Sequence, residues 1–175
     1  FEDFLKEWQR LDSADYNIPY LGNEIELQKE KLKAATLLQT IITDFHLAFP
    51  KVQIHHHIQN SDTILHLDKF HLTTAINNVL ENAVKYGCQN ITLITSEENG
   101  MFLISIQDDG IGIAKTKQSL LFEKFYRVQQ GNLHNTKGLG LGLYYVDQII
   151  KAHQGSVSVV SDLGKGTQFT ILLKV

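Results

Sequence analysis

Apolar positions along the chain follow two periods, one helical and one alternating, and these mark out elements before any chemistry is considered. Phe1, Phe4, Leu5, Trp8 and Leu11 recur at helical spacing, and residues 12–22 then carry Asp, Ser, Asn, Pro and Gly without a period. A helix followed by a linker is expected there. Ile25, Leu27 and Lys29 alternate as a strand would, whereas Leu37, Leu38, Ile41, Ile42, Phe45 and Phe49 form a helical stripe that Pro50 ends. Residues 52–58 and 63–67 read as strands paired in a hairpin. A long helix is expected from Asp68, a side chain suited to capping a first turn, to Tyr86, with Gly87 where helices stop. Residues 91–95 and 101–107 read as a second hairpin. After it the pattern predicts a short helix near 118–125, a polar loop over 128–137, a helix over 141–153, and closing strands over 156–160 and 168–175.

The strands arrive mostly as adjacent hairpins instead of alternating strictly with helices. That order predicts an α/β (α+β) two-layer sandwich, a mixed and mostly antiparallel sheet with helices packed on one face. The 175 residues, 43% apolar and 20% charged, suit one main globular domain, assigned to residues 23–175. Residues 1–22 are read as the tail of a preceding domain.

Charge and cysteine content narrow the function classes. The net charge is −3 and the basic residues are scattered, which argues against nucleic acid as a partner. Cys88, the single cysteine, cannot form an internal disulfide, and no apolar run approaches the roughly 18 residues of a membrane span. The reading is a cytoplasmic domain without direct membrane contact. The chain opens Phe-Glu-Asp, with neither an initiator methionine nor a signal region, and is therefore expected to be a piece of a longer protein whose parent could be anchored in the inner membrane.

The candidate chemistry begins on the long helix. Leu72, Ile76, Val79, Leu80 and Ala83 share one stripe, and His71, Asn78, Asn82 and Lys85 share nearly the opposite one. Two amides one turn apart offer neutral carbonyl oxygens suited to Mg²⁺, whose other ligands would be water and phosphate, and Lys85 adds a mobile positive charge. Asn and Lys on a helix are more often simply exposed, so the neighbouring motifs decide. The strand over 101–107 ends in Asp108-Asp109-Gly110-Ile111-Gly112, which holds a carboxylate beside permissive backbone where an amino group on a planar base could donate to it. Gly138-Leu139-Gly140-Leu141-Gly142 opens a helix, and its alternating glycines let backbone N–H groups approach an anion at the positive end of the helix dipole. It is not a P-loop, because Gly164-Lys165 is followed by Gly166, and it is not the dinucleotide G-x-G-x-x-G.

Asn78-Val-Leu-Glu-Asn82-Ala-Val-Lys85-Tyr86, Asp108-Asp-Gly-Ile-Gly112, Phe122-Glu-Lys-Phe125-Tyr126-Arg127 and Gly138-Leu-Gly-Leu-Gly142 resemble, in order and spacing, the N, G1, F and G2 boxes of sensor histidine kinases. Asp68, His153-Gln-Gly155 and Gly164-Lys-Gly-Thr167 resemble further landmarks of that family. The resemblance implies a Bergerat-type site for ATP and Mg²⁺. Asp108 would take the adenine amino group, Asn82 and Asn78 the metal, Lys85 and Lys137 the phosphates, and Tyr86 the nucleotide. Gly110, Gly112, Ile113, Leu139, Gly140, Leu141 and Thr167 would complete the wall, and Phe122, Phe125 and Arg127 would anchor the lid. Asn78, Lys85 and Arg127 would serve the transfer itself.

Hydrolytic members of the same fold, such as DNA gyrase and the large heat-shock chaperone, resemble a pattern with glutamate at the position of Asn78. An amide cannot take the proton of an attacking water, which favours phosphoryl transfer over hydrolysis. The family's acceptor is a histidine, yet no His-Glu or His-Asp followed by Arg or Lys, Thr or Ser, and Pro occurs here; the only prolines are Pro19 and Pro50. The acceptor, and with it the partners, is therefore expected elsewhere: a dimerisation and phosphotransfer domain of the same parent, and a downstream response regulator. An ATPase clamp, a related serine kinase and a degenerate partner-binding domain are the competing readings. His55, His56, His57 and His66 do not read as a metal site, because strand alternation sets His56 opposite its neighbours and no carboxylate or cysteine joins them.

Overall fold

The computed structural model describes residues 25–127 and 140–175. The helix and linker expected over residues 1–22 and the loop over 128–137 lie outside the described residues, as do Lys137, Gly138 and Leu139. The described strands are β1 (Glu30–Lys33), β2 (Gln53–Ile58), β3 (Ile64–Leu67), β4 (Asn90–Glu98), β5 (Met101–Asp108), β6 (Ser156–Asp162) and β7 (Gly166–Lys174). The helices are α1 (Ala34–Ala48), α2 (Lys69–Lys85), the single turn α3 (Lys115–Gln118) and α4 (Gly142–Ala152). β2-β4-β5-β7-β6 form one sheet and β1-β3 a separate pair. Only the β2–β4 pairing is parallel, so the sheet is mixed and mostly antiparallel as expected.

Alternation along the strands sends one set of side chains inward. Leu93, Ile106 and Phe169 stand in register across three strands, with Ile104 and Ile171 in the next row, and all are buried. They meet Leu38 and Ile41 of α1, Leu72, Ile76, Val79 and Leu80 of α2, and Val146, Ile149 and Ile150 of α4 in one core. The outward neighbours Ile94, Ser105 and Thr170 remain partly exposed. Removing one such buried Leu or Ile side chain typically costs about 2–5 kcal/mol. Helices α1, α2 and α4 thus occupy one face, and the C-terminal end of α2 meets the loop after β5.

The start of α2 is fixed by a buried polar cluster. Asp68 accepts from the backbone N–H of His71 at 3.0 Å and from that of Gln28 at 2.7 Å, while its own N–H donates to His153 Nε2 at 2.9 Å. Burial raises the Asp68 carboxyl pKa, but the N–H groups of His71 and Gln28 outweigh it and the carboxyl lies below its usual range. Because His153 Nε2 accepts, its Nδ1 carries the proton and donates to Ile149 O at 2.8 Å. His153 is therefore neutral, and burial holds its pKa below the ordinary value.

Three expected elements differ from those observed. Residues 25–29 are not a strand: the Gln28 N–H is committed to Asp68, and pairing begins at Glu30↔Leu67. β2 and β3 are not a hairpin. Gln59 O accepts from Thr95, Thr63 donates to Glu97, and Thr63 O accepts from the Ala34 N–H, which separates the strands and sends β2 to β4 and β3 to β1. The helix near 118–125 is a single turn ending at Gln118, whose side-chain amide donates to Ile113 O and Ser161 O; Phe125, at φ 63°, cannot continue a right-handed helix.

Candidate functional site

Two adjacent aspartates end β5, and their surroundings give them opposite jobs. Asp109 is spent on structure: Oδ1 accepts from the Gln89 and Asn90 N–H groups at 2.7 and 2.9 Å, and Oδ2 from Asn90 Nδ2 at 2.7 Å. Those bonds, the Asn90 amide first, hold its pKa below the usual range. Asp108 is buried, and both of its hydrogen bonds fall on Oδ1, from Gly110 N at 2.8 Å and Thr167 N at 3.3 Å. Among the described residues, nothing donates to Oδ2. Burial pushes the Asp108 pKa up against the lowering effect of those N–H groups. A buried carboxylate with one oxygen unused is costly unless a donor arrives, so this geometry suits a ligand N–H.

The loop after Asp108 is locked against the β6–β7 turn. Gly112 has φ 70°, and a Cβ there would lie 2.0 Å from Asp162 O; Gly166 has φ 88°, and its Cβ would lie 1.9 Å from Asp108 O. No side chain fits either place. Ile113 N donates to Ser161 Oγ at 2.8 Å, and Ser161 Oγ donates to Gly166 O at 2.7 Å, so the Thr167 hydroxyl is the donor in its 2.9 Å bond to Ser161. Thr167 therefore reaches Asp108 through its backbone N–H. Ser161 joins the loops and was missed by the sequence reading. Its signal is a polar residue at the inward position after Val157 and Val159.

The α2 stripe borders the same region. Ile111 N donates to Tyr86 O at 3.3 Å, and a Cβ on Gly110 would lie 3.0 Å from that oxygen, so the loop crosses the end of α2 beside half-buried Tyr86. Asn78 Nδ2 donates to Thr74 O at 2.9 Å, so the acceptor oxygen Oδ1 is turned the other way, toward α4. Gly142, the first residue of α4, sits against it: a Cβ there would lie 2.6 Å from Asn78 Oδ1. The positive end of the α4 dipole therefore faces the Asn78 amide. Asn82, one turn on, is half-buried and Lys85 exposed. Gly140 approaches Tyr126 O and Arg127, and Leu141 caps α4. Phe122 packs edge-on to Phe169 with centroids 6.5 Å apart, which ties this segment to the sheet.

The structure thus brings Asn78, Asn82, Tyr86, Asp108, Gly110, Gly112, Ile113, Thr167 and Gly142 to one end of the sheet, with Lys85, Arg127 and Gly140 at its rim. Cys88 lies beneath, buried, its thiol pushed up to about 11 by burial and by Asp108 and Asp109, so it stays protonated and unreactive. Among the described residues, no group of three or more His, Cys, Asp or Glu is placed to hold a metal, and no helix is long and apolar enough to cross a membrane.

Residues 67–175 match the family described as histidine kinase-, DNA gyrase B- and HSP90-like ATPase. The chain belongs to this family. As a member it is an ATP-binding domain. The chain is 40% identical to the sensor protein RprX of Bacteroides fragilis over 84% of its own length and 30% of RprX. It is 28% identical to the sensor histidine kinase WalK of Bacillus subtilis over 97% of its own length and 27% of WalK. Full-length ShkA in complex with AMPPNP superimposes with TM-score 0.72 and 26% identity, over 87% of this chain and 32% of ShkA. The chain therefore spans about a third or less of the length of these relatives.

Proposed function

We propose that this chain is the catalytic ATP-binding part of a sensor histidine kinase, moving the γ-phosphoryl group of ATP to a histidine on a dimerisation domain of the same parent. The observation that carries the reading is Asp108, whose buried Oδ2 awaits a donor such as the adenine amino group. Tyr86 would lie along the nucleotide. Gly142 opens α4 beside Asn78, and the Gly138–Gly142 motif would present N–H groups to the phosphates, with Lys85, Lys137 and Arg127 supplying positive charge.

The Asn78 amide suits Mg²⁺, because its nitrogen is committed to Thr74 O and its oxygen is the atom turned toward the start of α4. Asn82, one turn away, would be the companion ligand. Mg²⁺ held by these residues would supply positive charge that offsets the charge developing on the phosphates. An imidazole nitrogen of the acceptor would bond to the γ-phosphorus as the bridging P–O bond breaks, the electron pair leaving with ADP. Asn78 cannot act as a base toward water, which favours this transfer over the ATPase-clamp reading. The relatives named as sensor kinases support it, and a response regulator would be the downstream partner.

The test supplies γ-labelled ATP and Mg²⁺ to this chain with and without the acceptor domain of its parent. Label is expected on the acceptor as an acid-labile, base-stable adduct, with the chain alone unlabelled and scarcely turning over ATP. Rapid phosphate release by the chain alone would favour the clamp, and binding without transfer would favour a degenerate domain.

A further inference from the structure

Helices α2 and α4 lie antiparallel, and three contacts along their seam show it: Asn78 with Gly142, His71 with Tyr145, and Asp68 with His153. The middle contact belongs neither to the nucleotide site nor to the helix cap. His71 Nδ1 and the Tyr145 hydroxyl are 2.8 Å apart, and their rings lie 6.2 Å apart. Phe70 continues the row, edge-on to His71 at 5.4 Å, and is 61% exposed. Beside this row runs an open groove of about 650 Å³, lined by Glu26, Glu30, Asp68, Lys69, Phe70 and His71 among others. Phe70 is the one large apolar side chain of α2 that the core leaves exposed.

The location identifies that partner. With adenine at Asp108, beside the C-terminal end of α2, the phosphates run back along the stripe past Asn82 and Asn78. His71 lies on the same stripe about 10 Å further on, from the helix rise. A nucleophile must come within about 3–3.5 Å of the γ-phosphorus, from the side away from ADP. That side is the His71 end.

We propose that Phe70, His71 and Tyr145 form the acceptor-facing wall of the site: they seat the helix that carries the phosphoacceptor histidine and take no part in holding nucleotide. The inference rests on the phosphotransfer reading above. The His71–Tyr145 bond fixes both rings across the seam before the acceptor arrives, which limits the ordering cost of docking. These are positioning residues.

The experiment measures ATP affinity by calorimetry and phosphotransfer at varied concentrations of the parent's acceptor domain, for wild type, Phe70→Ala, Tyr145→Phe, His71→Leu and His71→Asn. Expected are an ATP Kd within about twofold of wild type and a KM for acceptor raised about tenfold or more in the first three variants, with kcat at saturating acceptor changed much less. His71→Asn keeps a polar atom near the Nδ1 position and should restore much of the loss. The Tyr145→Phe and His71→Leu effects should be strongly non-additive, because each breaks the same bond. Unchanged acceptor KM in Phe70→Ala and Tyr145→Phe overturns the proposal while leaving the kinase reading intact. Weakened ATP binding with unchanged acceptor KM overturns it by returning these residues to the nucleotide site. Wild-type chain that binds ATP and labels no acceptor overturns the kinase reading, and this inference with it.

Discussion

Gly142→Ala separates the site from the fold, because its two consequences carry opposite signs. Gly142 is the first residue of α4, and alanine there is favoured over glycine by at most the helix-interior value of about 0.5–1 kcal/mol. The new methyl would stand 2.6 Å from Asn78 Oδ1, too close to remain. What it meets is the end of a side chain, so Asn78 can turn aside. The 2.9 Å bond from its Nδ2 to Thr74 O would then be lost, at about 0.5–1.5 kcal/mol. The two terms nearly cancel, and the melting temperature should move by no more than about 2–4 °C. Mg-ATP, by contrast, loses the Oδ1 oxygen of Asn78. If that oxygen is worth as much as a hydrogen bond to a charged group, about 1.5–3 kcal/mol, affinity falls roughly 10- to 150-fold. Calorimetry with Mg²⁺ and with EDTA, beside a thermal melt, reads both quantities; the loss should shrink in EDTA. Unchanged Mg-ATP affinity in a normally melting protein would refute the placement of Asn78 as a ligand, and a large drop in stability would show the contact to be structural.

Three further outcomes follow from charge and backbone. Burial raises the Asp108 pKa above 3.8, so this group favours the folded state most at pH below that value and costs stability as pH rises through its folded pKa. Asp108→Asn should therefore make the nucleotide-free chain more resistant to urea at pH 7. The His153 pKa lies below 6.5, so its contribution is fully present above about pH 6.5 and falls away as the solution is acidified through the window beneath; His153→Gln should flatten that slope in denaturation series between pH 7.5 and 5. Gly166→Ala should destabilise by about 3 kcal/mol or more, since it adds strain at φ 88° to a Cβ 1.9 Å from Asp108 O, and chemical denaturation measures it.

Local signals in the sequence carried further than strand pairing did. Asp68, Gly87 and the α2 stripe are local signals, read from cap chemistry and helical period, and they hold in the structure. β2 and β3 were misjoined because pairing is non-local: the bonds of Thr63 to Glu97 and Thr95 to Gln59 that separate them span more than thirty residues. The strand over 25–29 failed for a similar reason, since its backbone is claimed by Asp68, 40 residues away. In the site, the resemblance assigned the ligand to Asp108, but the residues Asp108-Asp109-Gly110 by themselves do not say which carboxylate is spent on structure. The answer depends on Asn90 and Thr167, which no local pattern connects to it. His71 was legible as part of the stripe, whereas Tyr145 reads from sequence only as an aromatic on α4.

Comparing ATP with inosine triphosphate tests the central claim most directly, because the two differ at the group that Asp108 Oδ2 is held to receive: an amino donor in one and a carbonyl acceptor in the other. Calorimetry on wild type should show ATP binding at least tenfold tighter, the scale of a charged hydrogen bond replaced by a repulsive pair. Asp108→Asn, which can offer an N–H at that place, should close or reverse the gap. Equal affinity of wild type for both nucleotides would contradict the account.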